Sequence, residues 1–153
     1  NDNNEFKITA ERAWAKDWGS DGTEMGLVDG EGESNISQVN AGYYKINVNI
    51  NRLEYTMTNT QWGLIGSATA NGWDSDQDMT YDPSNKVWTI TTDLSSGLIK
   101  FRANDDWAIN YGDNGADGTL EAGGSDISID SGGNYTIVLD LSGDPYTYSV
   151  TQN

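Results

Sequence analysis

The stretch Ile99-Lys100-Phe101-Arg102-Ala103-Asn104-Asp105-Asp106-Trp107-Ala108-Ile109-Asn110-Tyr111-Gly112 decides how the chain is read. It alternates apolar and polar residues, then passes into an acidic, aromatic segment ending on glycine. The alternation predicts a strand with Ile99, Phe101 and Ala103 on one face and Lys100, Arg102 and Asn104 on the other, followed by a loop carrying Trp107. Lys100 and Arg102 are two of the three basic residues after Gln61, in a segment crowded with acid. Two cations and an amide beside a Trp form a candidate ligand-reading surface. The competing reading is a solvated sheet face whose cations offset nearby Asp.

The same pattern occurs earlier in the chain. Phe6-Lys7-Ile8-Thr9-Ala10 leads to Trp14 and Gly19 as Ile99-Lys100-Phe101-Arg102-Ala103 leads to Trp107 and Gly112. Asn35-Ile36-Ser37 lies over Asp126-Ile127-Ser128, Gly42-Tyr43-Tyr44-Lys45-Ile46 over Gly133-Asn134-Tyr135-Thr136-Ile137, and Tyr55-Thr56 over Tyr146-Thr147. A repeat that keeps register through strands and loops predicts two copies of one supersecondary unit. Only the second copy has the front segment 62–97. Residues 1–60 therefore read as the back half of a module whose front strands are absent, and 61–153 as a complete module. A half-module exposes an apolar sheet face and open edges. Its strand 42–51 predicts Tyr44, Ile46, Val48 and Ile50 facing inward. No segment carries a helical apolar period longer than a turn, so the chain is expected to be all-β.

Composition narrows the function. The 153 residues allow one domain, or one and a half small all-β units. An apolar fraction of 35% with six Trp supports a packed core despite a net charge of −16. That charge repels phosphates, which argues against a nucleic-acid partner and favours a neutral ligand. No apolar run approaches the length of a membrane-spanning helix. The absence of Cys and His removes disulfides, thiolate or imidazole catalysis and Cys/His zinc sites. No cofactor is implied.

Leu64-Ile65-Gly66-Ser67-Ala68 leading to Gly72-Trp73-Asp74, then the opening stretch through Asn110-Tyr111-Gly112, Gly123-Gly124 with Asp126-Ile127, and Gly133 with Tyr135 make up an ordered set of motifs. In these residues the chain resembles the SusE/SusF-type surface glycan-binding lipoproteins of Bacteroidetes, over 61–153 and in truncated form over 5–60. The resemblance implies tandem immunoglobulin-like β-sandwich modules, lipid-anchored at the outer membrane beside a TonB-dependent transporter. It also implies capture of starch or malto-oligosaccharides without hydrolysis. Other glycans are bound on the same fold, so a different polysaccharide stays open, as does a spacer or adhesin-like role.

A glycan site needs an aromatic platform for sugar faces and donors for hydroxyls. Trp73 and Trp107 are the candidate platform, with Lys100, Arg102 and Asn104 as candidate hydrogen-bonding groups. Each could instead be structural: a loop Trp plugging the sandwich end, a cation paired with Asp105 or Asp106. Trp88 reads as core, Trp62 as core or edge packing, and Tyr135, Tyr146 and Tyr148 as interior. The first copy keeps Lys7 and Trp14 but has Thr9 and Glu11 in place of Arg102 and Asn104, and lacks a Trp73 counterpart. Asp74-Ser75-Asp76-Gln77-Asp78 opens with calcium-loop spacing, yet Met79 stands where the turn glycine belongs and Asn85 where the bidentate Glu belongs. Abundant carboxylates raise a glycosidase pair, but with no deep pocket implied they read as surface; neither metal nor catalysis is expected.

Overall fold

The computed structural model describes residues 5–10, 16–30, 34–37 and 40–153. Alternating β-branched and aromatic residues, punctuated by Gly, Asn, Asp and Ser, give an all-β protein. It divides into two compact units, Asn1–Thr60 and Gln61–Asn153.

The first unit holds β1 (Glu5–Phe6), β2 (Ile8–Thr9), β3 (Asp17–Ser20), β4 (Leu27–Asp29), β5 (Ile36–Ser37), β6 (Tyr44–Asn49) and β7 (Glu54–Asn59). They pair antiparallel as β1-β5, β2-β3-β4 and β6-β7. Trp18, Leu27 and Ile36 make its buried cluster, with Phe6, Ile8 and Tyr55 packed against it.

The second unit holds β8 (Trp62–Ile65), β9 (Gln77–Asp78), β10 (Thr80–Asp82), β11 (Val87–Leu94), β12 (Gly97–Ala103), β13 (Asp106–Gly112), β14 (Thr119–Ala122), β15 (Ile127–Ile129), β16 (Gly133–Asp140) and β17 (Tyr146–Gln152). One antiparallel path runs β10-β11-β16-β17-β14-β13-β12-β8-β9, with β15 on β12. The path folds back on itself as a β-sandwich. Leu64, Ile99, Phe101, Ile137 and Leu139 are fully buried between its faces, with Trp62 and Trp88 beside them. Phe101 meets the Tyr148 ring at 5.9 Å, and Tyr146 meets Tyr111 edge-on at 5.3 Å.

The pairing registers of the two units coincide. Ile8 faces Trp18 as Phe101 faces Tyr111, both 93 positions later (8 to 101, 18 to 111). Trp18 faces Asp29 as Tyr111 faces Ala122, and Phe6 faces Ile36 as Ile99 faces Ile127. Ile46 faces Met57 as Ile137 faces Val150. These registers set Tyr55 over Tyr148, not over Tyr146 as the sequence alignment has it. The reason is a connection between β16 and β17 two residues longer than that between β6 and β7 (Asn49 to Glu54, Asp140 to Thr147 by register).

Three expectations need correction. Residues 106–112 are a strand rather than a loop, because a short pleated segment survives among glycine and acidic residues when it pairs on both sides. Ile46, Val48 and Ile50 are not inward-buried: Ile46 and Val48 on β6, and Ile50 in the turn that follows it, are exposed, because alternation marks a face as apolar without supplying a layer against it. The predicted strand 6–10 is broken into β1 and β2 at Lys7.

A buried carboxylate pins the loop after β13. Burial by itself would raise the Asp113 pKa. N–H donors from Gly118 (2.9 Å), Gly115 (2.8 Å) and Asp117 (3.3 Å) and the Tyr148 hydroxyl (3.0 Å) outweigh that and hold it below its ordinary value. Burial, then the neighbouring Asp113 carboxylate, push Tyr148 up to about 12. Asp113, with its folded pKa depressed, contributes stability above its ordinary value of 3.8 that is lost as pH falls through the folded value. Tyr148, with its folded pKa raised, contributes stability below its ordinary value of 10.0 that is lost as pH rises toward about 12. Urea midpoints of the second unit are therefore expected to fall at both extremes. Tyr148→Phe should lower stability by roughly 1 to 2 kcal/mol and flatten the alkaline limb.

Candidate functional site

β12 lies between β8 and β13, with Lys100 opposite Ile65 and Arg102 flanked by Gly63 and Asn110. Ile99, Phe101 and Ala103 fill the core as the alternation predicts. Lys100 and Arg102 share the other face, separated by one pleat.

Asn104 does not share that face. Asn104 and Asp105 have φ values of 59° and 55° and form the two-residue turn of a hairpin in which Ala103 faces Asp106. Asn and Asp tolerate the left-handed backbone that such a turn requires. The Asn104 side-chain Oδ1 accepts the Gln61 N–H at 2.8 Å, and its own N–H donates to the Gln61 carbonyl at 2.8 Å. Its role is to clamp the strand end. Asn104→Ala is expected to cost about 1 to 2 kcal/mol of stability through lost hydrogen bonding and backbone strain. Urea unfolding checks the loss.

Trp107 stands on β13, not in a loop, but on its irregular part. Arg102 pairs with Asn110 and Ala103 already with Asp106, so Trp107, Ala108 and Ile109 have no register partner on β12. The bulge is held locally: Ala108 N–H donates to Asp106 Oδ1 at 2.7 Å, and Asn110 Nδ2 donates to the Trp107 carbonyl at 2.7 Å. Bulges re-aim side chains, and here the Trp107 indole is 45% exposed.

Trp73 comes from the turn between β8 and β9. Gly72 at φ 60° reverses the chain, and its carbonyl accepts from Gly66 N–H at 3.0 Å and Thr69 Oγ1 at 3.3 Å. The turn leaves Trp73 39% exposed with its ring centroid 6.1 Å from that of Trp107, the two planes inclined by 39°. Trp73 and Trp107 are the large apolar residues that the second unit leaves most exposed among its described residues. Neither indole plugs the sandwich end.

Arg102 is buried against Trp107. Its Cζ lies 4.7 Å from the Trp107 ring centroid, a cation–π contact worth about 1 to 2 kcal/mol at such burial. Its Nε and Nη2 both reach Asp76 Oδ1 at 2.6 Å. Gly63 makes room for that carboxylate, since a Cβ there would fall 2.7 Å from Asp76 Cβ. Burial raises the Asp76 pKa, an effect that the Arg102 hydrogen bond and charge oppose, and its Oδ2 is buried without a partner. Arg102 is thus committed to Asp76 and Trp107 and orients the indole. Lys100 stays at the margin, its Nζ 3.8 Å from Asp126 Oδ1, too long for a hydrogen bond and weakly held. Neither cation pairs with Asp105 or Asp106.

Trp73, Trp107 and Arg102 are brought together by direct contact, Lys100 lies one pleat away on the Arg102 face of β12 beside Asp126, and Asn104 belongs to the strand end. The sequence does not mark Asp76 as the partner of Arg102, because it is one acid among three in 74–78. The calcium-like spacing is spent on this ion pair and on β9. Trp14 and Glu11 of the first copy lie outside the described residues. No family model matches the chain, and no characterised protein matches it.

Proposed function

We propose that the second unit is a non-catalytic carbohydrate-binding module, with Trp73 and Trp107 as its platform. The observation that carries this reading is the exposed, mutually inclined indole pair. Sugar rings present apolar C–H faces that stack on indoles, and two inclined planes suit a chain that curves from one residue to the next. A curved α-glucan, starch or a malto-oligosaccharide, is the ligand class proposed. Lys100, paired with Asp126 at 3.8 Å, supplies a donor for sugar hydroxyls, and Arg102 acts from beneath by fixing Trp107. The net charge of −16 suits a neutral ligand.

The resemblance to SusE/SusF-type lipoproteins supports the same reading and extends it to the cell surface: a lipid-anchored protein of the outer membrane delivering glycan to a TonB-dependent transporter. A spacer or adhesin-like module is the second reading. It calls for Trp73 and Trp107 packed inside, whereas both are exposed. Affinity electrophoresis through gels cast with starch, glycogen, pullulan and several β-linked polysaccharides tests the proposal. Retardation in the α-glucan gels is expected; uniform mobility in every gel sinks the glycan reading, and retardation only by a β-linked polymer replaces the ligand class.

A further inference from the structure

The connection from β3 to β4 and that from β13 to β14 have the same length. Trp18 faces Asp29 and Tyr111 faces Ala122, so residues 20–27 lie over 113–120 without a gap. Met25 and Gly118 take the same place and share a left-handed backbone, with φ 62° and 87°. Each carbonyl accepts the N–H of the equivalent tyrosine, Tyr55 on Met25 at 3.0 Å and Tyr148 on Gly118 at 3.4 Å.

One position changes the chemistry. In the second unit the Asp113 carboxylate gathers four donors: the N–H groups of Gly115, Asp117 and Gly118, and the Tyr148 hydroxyl. Ser20 stands there in the first unit, and its Oγ accepts the Gly22 N–H at 3.1 Å. The N–H groups of Glu24 and Met25 and the Tyr55 hydroxyl are the equivalents of the other three donors. They have no acceptor among the described residues. A serine side chain is too short to serve all four.

A cleft of about 440 Å³ opens beside these donors, within the size range of small-molecule sites. Asp21, Glu24, Glu54 and Arg52 line it, with Met25 and Leu53 supplying apolar surface. Burial, then the charges of Asp21 and Glu24, raise the Tyr55 pKa, so both carboxylates act on that hydroxyl. Three carboxylates against one guanidinium repel an anion. The unsatisfied N–H and O–H donors call for an acceptor and not for a cation. A sugar hydroxyl meets both demands, since it accepts from those donors and donates to the carboxylates.

We propose that the first unit binds a neutral mono- or disaccharide in this cleft, its oxygens accepting from the Met25 N–H and the Tyr55 hydroxyl. The site lies wholly in the first unit and does not rest on the role of Trp73 and Trp107.

Amide resonances of the full chain during titration with glucose and with maltose test the proposal, with acetate and butylammonium as charged controls. Saturable shifts of the Glu24 and Met25 amides are expected with a sugar and none with either ion. Ser20→Asp should abolish those shifts, because the introduced carboxylate takes the Met25 N–H and the Tyr55 hydroxyl as Asp113 takes their equivalents. Tyr55→Phe, which keeps the ring, should weaken sugar binding about fivefold through one lost hydrogen bond. Absence of saturable Glu24 and Met25 shifts with either sugar overturns the proposal, as do sugar shifts undiminished in Ser20→Asp. A response to acetate or butylammonium without one to sugar overturns the ligand class. Sugar shifts confined to the Trp73 and Trp107 indoles overturn the first-unit site and leave the platform reading standing.

Discussion

Trp107→Ala is expected to raise the dissociation constant for a bound oligosaccharide by roughly thirtyfold, the loss of about 2 kcal/mol typical of a central aromatic anchor. The indole supplies the platform's largest exposed apolar face, and its removal also uncovers the Arg102 guanidinium to water. Trp73→Ala should cost nearly as much, because one inclined plane without the other supports a single sugar. The double variant should lose less than the sum, since each ring's contribution depends on its neighbour. Isothermal titration of the two single variants and the double variant gives all three values. A Trp107→Ala protein that binds as tightly as its parent would remove Trp107 from the site.

Asp76→Ala has the largest expected effect on stability, about 3 to 5 kcal/mol, because it leaves the Arg102 charge buried without its partner. Replacing both members, Asp76→Leu with Arg102→Met, should recover most of that loss, since a well-packed apolar pair commonly matches a buried ion pair. The recovered protein is nevertheless expected to bind glycan several-fold more weakly, with no cation beneath the Trp107 ring. Urea unfolding followed by the near-ultraviolet signal of the aromatic core, together with a binding titration, separates the two roles. If the double variant regains stability and keeps full affinity, Arg102 does not position Trp107.

Much of this architecture is written into alternation and repetition. Ile99, Phe101 and Ala103 declare the buried face of β12, and the pairing of Lys7 with Lys100 and Gly19 with Gly112 declares the repeat that the strand registers share. What stays hidden is set by interactions distant in sequence. Asn104 continues the apolar–polar alternation by one residue, so only the positive φ of Asn104 and Asp105 reveals a turn. The bulge that aims Trp107 depends on a register change between Arg102 and Ala103, which no local pattern encodes. The pairing of Arg102 with Asp76 depends on Gly63, a neighbour across the sheet whose missing side chain has no meaning until the strands are paired. Burial of Ile46 and Val48 fails for a similar reason: a strand's own alternation states which face is apolar, not whether anything lies against it.

The platform itself is open to direct measurement by acrylamide quenching of tryptophan fluorescence, using a Trp14→Phe background so that Trp73 and Trp107 dominate the quenchable signal. Trp18, Trp62 and Trp88 are buried and should respond weakly. Saturation with maltoheptaose is expected to reduce the quenching constant at least twofold, because a stacked sugar shields both indoles. Saturable binding of maltoheptaose with quenching unchanged would place the glycan elsewhere on the molecule and contradict the assignment.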